Sequence, residues 1–571
     1  MPKKILPFVV KIGNAEDEAS GDAFEIYRFR KVRGADGELK ISRGFARSLE
    51  AVRALLIQKN ADLLDDQDNP EEVLNVITSR PRTYYLYAAR LGWRPNRSAF
   101  VPAVGEAIGP NQDPLLLRPT WLNAHMNVSL ATAGTLAEWK KDVAEPASYS
   151  DAAMLVLAAA FAAPLVEVSG LQSFGINIHG KAKVGKTAAL IVGASVAGIG
   201  RESQLPNWAS TANATTELAR VFNDTMLPAN EVGLLAGRKK EAYGPIRELI
   251  YRLSEGRDKA RHSSWKEASA ASNAQFRTIF VSTAEHSFNE YAAYAGEKRD
   301  EGEYARCIDI AATTPDRATI MSRKPDGMKA SKARRWARKS VIGLRVACEK
   351  QHGTALRPYI EYVIEQGPAL PAIVERYSLT FIKRAMSMNI EGALEHAARN
   401  MALIFAGGCI AIDAKILPWK KVELKQALIR CFELSVGEIR YHETAEERAI
   451  SAVVRSIKNG LKHKEIIERK KGLTLPDNVF GFYHEGVAGR TYSIQSKVFR
   501  EWLGDKRQIQ LAIDWLDAHR LLKPKATEKV VDRKSLDWAE QTVKGAGSKS
   551  VRSIVFLDPS EAVERWTRRS K

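Results

Sequence analysis

Runs rich in large apolar, aromatic and β-branched residues at 8–12, 24–32 and 84–87 are strand-like. Between these runs, Asn69-Pro70-Glu71-Glu72 supplies a cap, a proline at the first helical position and acids in the first turn, which predicts a helix there. Together they predict a small α+β domain over residues 1–120, followed by a helical lead-in over 121–168. From 169 to 323 the pattern becomes apolar strand, apolar helix, strand, strand. Residues 174–179 alternate, residues 188–199 are rich in Ala, Leu, Ile and Val, and 225–231 and 277–285 are further strands. Past 324 the spacing is helical to about 471, most clearly at 371–386 and 395–406.

Residues 472–571 follow the order of a winged helix. Glu501-Trp502-Leu503, a helix at 509–519, Arg520-Leu521-Leu522 and the strand Ser553-Ile554-Val555-Phe556-Leu557 form the series, with 527–550 as a polar wing or mobile loop. A protein-docking module uses the same apolar skeleton. No repeat of solenoid period is visible.

At 571 residues the chain exceeds one hydrophobic core and calls for about three to five domains. Its 45% hydrophobic and 27% charged residues are those of an ordinary globular protein. The most apolar windows, 152–166 and 401–412, are closed by Glu167 and Asp413, short of the roughly 18 uninterrupted residues that span a bilayer. The start, Met1-Pro2-Lys3-Lys4-Ile5-Leu6-Pro7, is too short in apolar residues for a signal peptide, so a cytoplasmic protein with no membrane partner is expected. Cys307, Cys348, Cys409 and Cys431 lack zinc spacing and are expected to be buried thiols.

The net charge of +19 points to nucleic acid, with a merely soluble basic surface as the alternative. Clustering favours the former. From 323 to 345 the cations Arg323, Lys324, Lys329, Lys332, Arg334, Arg335, Arg338, Lys339 and Arg345 meet only Asp326 in opposition, with Trp336 among them. Lys332, Arg334, Arg335 and Arg338 are candidate nucleic-acid contacts. So are Arg257, Lys259 and Arg261 in a basic turn, for which a solvated loop is the alternative.

Gly180-Lys181-Ala182-Lys183-Val184-Gly185-Lys186-Thr187 fits G-x-x-x-x-G-K-[ST] between the first core strand and its helix, as a phosphate-binding loop must. Gly180, Val184, Gly185, Lys186, Thr187 and Ala188 would hold ATP. The lysine would reach the outer phosphates and the Thr187 hydroxyl Mg²⁺. Asn230 and Glu231 end the second strand, where an acid would hold Mg²⁺ and a glutamate would polarise water. Here the metal-facing place carries an amide, which cannot neutralise charge. Asp224, just before the strand, is the acid expected to compensate, and an ordinary surface acid is the alternative for Glu231. Ser282 and Thr283 end the third strand and are candidates for sensing phosphate or orienting water, although any strand end uses such residues. Arg306, then Arg317, are candidates for an arginine acting across a subunit interface, against the commoner fate of a surface ion pair.

Residues 174–200, Trp208, Thr211, Asn213, Ala214, Asn223-Asp224 leading to Asn230-Glu231, Ser282-Thr283-Ala284-Glu285 and Arg306-Cys307-Ile308-Asp309-Ile310 resemble one family. It is the helicase-like ATPase domain, formally of unknown function, of bacterial mobile elements and prophages, which includes replication helicases of staphylococcal chromosome cassettes. The likeness runs from Gly92-Trp93 to the C-terminal region and takes in His352-Gly353-Thr354-Ala355 and Ile416-Leu417-Pro418-Trp419. It implies an α/β P-loop ATPase core of AAA+/superfamily 3 helicase type, with an N-terminal α+β domain, a helical region and a C-terminal winged helix. It further implies a hexameric ring that uses ATP and Mg²⁺ to move along single-stranded or forked DNA, with a primase or other replication protein as partner. Ala182 and Lys183 replace the family's usual Ser and Gly, and Asn230 its usual Asp. The rival expectations are a weakly hydrolysing, ATP-fixed DNA-binding assembly and an ATPase that remodels a protein partner.

Overall fold

The computed structural model describes residues 9–62, 83–110, 114–122, 130–208, 212–232, 241–256, 275–295, 297, 299–314, 316–388, 390, 392–469, 479–486, 489–504, 506–523, 540–544 and 550–560. The helix expected after Asn69 and the basic turn with Arg257, Lys259 and Arg261 lie outside them. The chain forms two compact units, the first of Met1–Gly237, Gly244–Phe288 and Asp300–Phe432, the second of Arg238–Tyr243, Asn289–Arg299 and Glu433–Lys571.

The first unit begins with the antiparallel strands β1 (Val9–Asp17), β2 (Ala23–Arg30) and β3 (Asp36–Ser42). β4 (Tyr84–Tyr87) joins β1 in parallel. β5 (Gly92–Trp93) and β6 (Phe100–Val101) form a separate pair, and β7 (Leu115–Leu117) completes the sheet in the order β3-β2-β1-β4-β7. Ser48 caps the helix Leu49–Gln58 by accepting from Ala51 N. That helix buries Val52 and Leu56 against Val9, Tyr27, Phe29, Leu39 and Ile41.

The core sheet holds β8 (Phe174–His179), β9 (Thr225–Ala229), β10 (Thr278–Ala284) and β11 (Cys307–Ala311), all parallel, in the order β11-β8-β10-β9. Because both faces are covered, β9 and β10 are buried along their whole length, and the strands read as apolar runs. The alternation expected in β8 does not mark a wet face: Phe174 to Ile178 are all buried, and Gly175 is small because a Cβ there would lie 1.9 Å from the Phe280 ring.

The two apolar windows bury one another. Asp151–Ala162 is a wholly buried helix, and the helix Ala393–Asp413 crosses it at Gly407, where a Cβ would come within 2.5 Å of Ala162 Cα. Asp151–Ser169 is long and apolar enough to cross a membrane by length and composition, yet 83% of its apolar window is buried within the fold. Arg430 holds the Asp151 carboxylate with two hydrogen bonds of 2.8 Å. The remaining helices of the unit include Ala330–Lys350, Leu356–Glu365 and Leu370–Met386.

The second unit has its own core. β12 (Ile466–Glu468), β13 (Gly481–Gly486), β14 (Gly489–Gln495), the helices Ser496–Leu503 and Lys506–Ala518, β15 (Glu540–Lys544) and β16 (Ser550–Leu557) form a sheet of order β12-β13-β14-β16-β15 with two helices on it. Tyr492, Ile494, Phe499, Ile513, Leu516 and Phe556 fill the space between. Within the segment expected to be a wing or mobile loop, residues 540–544 pair antiparallel with β16.

Candidate functional site: the carboxyl ends of the parallel strands

β8 ends where Gly180 N donates to Ala284 O at the end of β10 (3.2 Å) and His179 O accepts from Ala312 N (2.8 Å). Gly180 (φ 144°), Lys183 (φ 63°) and Gly185 (φ 110°) then turn the chain through left-handed conformations into the helix Lys186–Ala194. Gly185 is required twice over. Its φ suits glycine, and a Cβ would lie 3.0 Å from Val341 Cγ1 and 3.2 Å from Ile320 Cγ1. Ile320 N also donates to Val184 O (2.9 Å), holding the loop from outside.

The helix starts with no side-chain cap, so its first N–H groups and partial positive charge face the loop. Lys186 Nζ folds into the same space and donates to Gly180 O (2.7 Å) and Lys181 O (2.9 Å). Burial holds its pKa below the ordinary lysine value, opposed by the Glu285 and Glu231 carboxylates. Thr187 is partly exposed beside it and Ala188 is buried beneath. A glycine-lined turn, uncapped N–H groups and an ammonium bonded only to carbonyls fit a polyphosphate.

Asn230 and Glu231 sit at the end of β9, next to the end of β10. Thr283 Oγ1 ties them together: it accepts from Glu231 N (3.1 Å) and donates to Asn230 Oδ1 (2.7 Å). The Glu231 N–H can only donate, so the hydroxyl proton belongs to the amide oxygen. Glu231 is exposed at φ 52°, a conformation that costs an L-residue about 1 kcal/mol and is held here by that N–H bond. Ser282 faces the other side of β10 and is fully buried, accepting from Trp208 Nε1 (3.0 Å). The structure therefore brings together Gly180 to Ala188, Asn230, Glu231 and Thr283, and turns Ser282 away.

Three charged residues lie elsewhere. Arg306 packs within its own chain, donating to Gly302 O (2.9 Å) with its guanidinium 4.6 Å from the Tyr251 ring centre. Arg317 stands 3.9 Å from the Asp316 carboxylate. Asp224, expected to compensate for Asn230, precedes the first residue of β9 and so occupies the opposite end, about 20 Å from Asn230 at strand rise. It cannot reach Asn230. Its buried carboxylate instead accepts from Arg277 Nε (2.9 Å), Trp93 N (3.0 Å) and Asn223 Nδ2 (3.0 Å), with burial pushing its pKa up and Arg277 and the Trp93 N–H pulling it down. Gly92 (φ 84°) permits this tie, since a Cβ would lie 2.3 Å from Asp224 Oδ2.

The basic segment is a helix beside the loop. Ala330–Lys350 runs parallel to Lys186–Ala194: Val341 meets Gly185, and further along Cys348 O and His352 Nδ1 would lie 2.6 and 2.4 Å from a Cβ on Gly200. Its first three turns thus extend past the loop by about 16 Å and carry exposed Lys332, Arg334, Arg335, Arg338 and Lys339. Trp336 packs edge-on against Tyr149, 5.4 Å between centres. Its neighbour Val341, unmarked in the sequence, is what registers the helix on the loop.

The first unit is thus a mixed α/β body around a parallel sheet, with polar groups converging where the strands end. Residues 10–273, less than half of the chain, match the family described as Domain of unknown function (DUF927). The match covers the N-terminal sheet, β8, the loop and β9, and stops before β10. A solved structure titled "SCCmec type IV Cch - active helicase" shares the fold, with a TM-score of 0.52 and 12% identity over 97% of this chain and 94% of that one. No curated protein matches the chain.

Proposed function

We propose that this protein is an ATP-dependent DNA translocase, a helicase-like motor of a mobile genetic element that works as a ring, most simply a hexamer, in the cytoplasm. The observation that carries the reading is the Lys186 loop at the carboxyl end of β8, with Thr283 tying Asn230 and Glu231 beside it. The shared fold with a protein titled an active helicase supports it. In this reading Gly180, Val184, Gly185, Lys186, Thr187 and Ala188 bind ATP, and Thr187 and Asn230 face Mg²⁺. The Mg²⁺ in this reading is the ion that nucleotide carries. Glu231 orients water, Thr283 holds Glu231 and Asn230 in place, and buried Ser282 sets the strand rather than touching phosphate. Lys332, Arg334, Arg335 and Arg338 hold DNA phosphates; Arg257, Lys259 and Arg261, outside the described residues, are given the same role from the sequence alone. The second unit serves as a winged helix on single-stranded or forked DNA, and a primase or other replication protein is the natural partner. Displacement of a labelled strand from a forked duplex tests the motor, which requires ATP; strand release that is equal without ATP contradicts it.

A second reading rests on Asn230. With one lone pair taken by Thr283 and no negative charge, it neutralises nothing at the metal. ATP would then fix an assembly that hydrolyses slowly. An aspartate can accept the same Thr283 bond, so Asn230→Asp is expected to raise steady-state turnover about tenfold without changing the melting temperature. Unchanged turnover would place Asn230 away from the metal.

Arg306 is proposed to act across the subunit interface after leaving Tyr251. Arg306→Ala is expected to lower turnover by roughly 10³-fold while ATP affinity stays within about twofold. Full turnover in that variant hands the role to Arg317.

A further inference from the structure

We infer that the second unit carries a seat for a backbone phosphate of a nucleic-acid strand, between the start of helix Ser496–Leu503 and strand β16. A cavity of about 560 Å³ opens there, lined by Ser496, Lys497, Arg500, Glu501 and Arg552 among others. β14 pairs with β16 through Gln495 and Ser553, which brings Arg552 beside the helix start. The helix begins at Gln495 without a side-chain cap, so its first-turn N–H groups add partial positive charge. Among the described lining residues Lys497, Arg500 and Arg552 are cations and Glu501 is the carboxylate, 4.0 Å from the exposed Lys497.

Ser496 supplies a second, independent sign. It is 5% exposed and lines the cavity, yet its Oγ has no hydrogen-bond partner among the described residues. A buried hydroxyl left without a partner costs about 1–3 kcal/mol, which rotation of the Ser496 side chain toward an anion's oxygen in the cavity would relieve. Two guanidinium groups and an ammonium suit the several oxygens of a phosphate, as a diester or as the free ion. The chain's net charge of +19 favours the polyanionic strand as the source. This site is separate from the nucleotide loop, and its test is separable too.

The experiment measures binding of a fluorescein-labelled single-stranded oligonucleotide to the full-length protein by anisotropy, without nucleotide, over a series of salt concentrations. Arg500→Ala with Arg552→Ala is expected to weaken binding about tenfold at low salt and to flatten the slope of log affinity against log salt by about 1.4, the value for two lost single-strand phosphate contacts. Lys497→Ala, whose side chain is 87% exposed and does not endanger the fold, is expected to flatten it by about 0.7. Lys186→Ala is expected to keep the full slope, so failure of the nucleotide reading leaves this outcome intact. Unchanged affinity and slope in the arginine and Lys497 variants overturn the seat. Inorganic phosphate is the second probe. If it binds the wild type but not the double variant while the oligonucleotide binds both alike, the seat belongs to free phosphate and the nucleic-acid assignment is overturned.

Discussion

Lys186→Ala is expected to weaken ATP binding at least about 100-fold and to reduce hydrolysis to background. The ammonium bonds to two groups of the loop, the carbonyls of Gly180 and Lys181, at 2.7 and 2.9 Å. Neither is an anion, so phosphate oxygens replace them with a gain of charge, and charge-assisted bonds of this kind contribute about 1.5–3 kcal/mol. The carbonyls stay open to water after the substitution, so the melting temperature should hardly move. Titration of a fluorescent ATP analogue measures the loss, and affinity within threefold of wild type contradicts the loop assignment. The pH dependence has a defined sign. Burial lowers the Lys186 pKa and bound phosphate raises it, so affinity is full below the free-protein pKa and falls as pH rises past it, starting below the ordinary lysine range.

Asp224→Ala is expected to cost the first unit about 3–5 kcal/mol, the largest loss of stability from any single change considered. The carboxylate is fully buried, and its removal leaves the Arg277 guanidinium, the Trp93 N–H and the Asn223 amide without their shared acceptor. The break falls where three separate segments meet, around Gly92, Asn223 and Arg277. Gly92→Ala should cost less but act at the same point, because its methyl would collide with Asp224 Oδ2 at 2.3 Å. Urea unfolding reads both, as an earlier midpoint of the first unit's transition. Because the tie lies at the far end of β9 from Asn230, turnover per folded molecule should be unchanged; a drop in turnover with normal stability would show that Asp224 acts on the chemistry.

The order of apolar runs located the core strands and the glycine-bearing turn after β8, since buried parallel strands and such a turn are both written in consecutive residues. Thr283 and Asn230 were legible as types and positions, but their mutual bond was not, because it depends on the register of β9 against β10. Ser282 and Thr283 looked equivalent, and the strand's alternation separates them, one under Trp208 and one at the site. Asp224 was misread for a simpler reason: it lies six residues before Asn230 in the sequence, and a strand carries those six residues to opposite ends of the sheet. The basic segment announced its charge but not its place. Only the contact of Val341 with Gly185 shows that it lies beside the loop. Gly92 marked where the family likeness begins, but the reason for a glycine there was not legible, since the approach of Asp224 that requires it comes from a residue more than a hundred positions away.

Steady-state ATP hydrolysis by the full-length protein, with and without single-stranded DNA and with Lys186→Ala as the blank, tests the motor most directly. The expected result is Mg²⁺-dependent turnover that single-stranded DNA raises several-fold and that Lys186→Ala abolishes. Turnover indifferent to DNA, or equal in the Lys186→Ala protein, would contradict it.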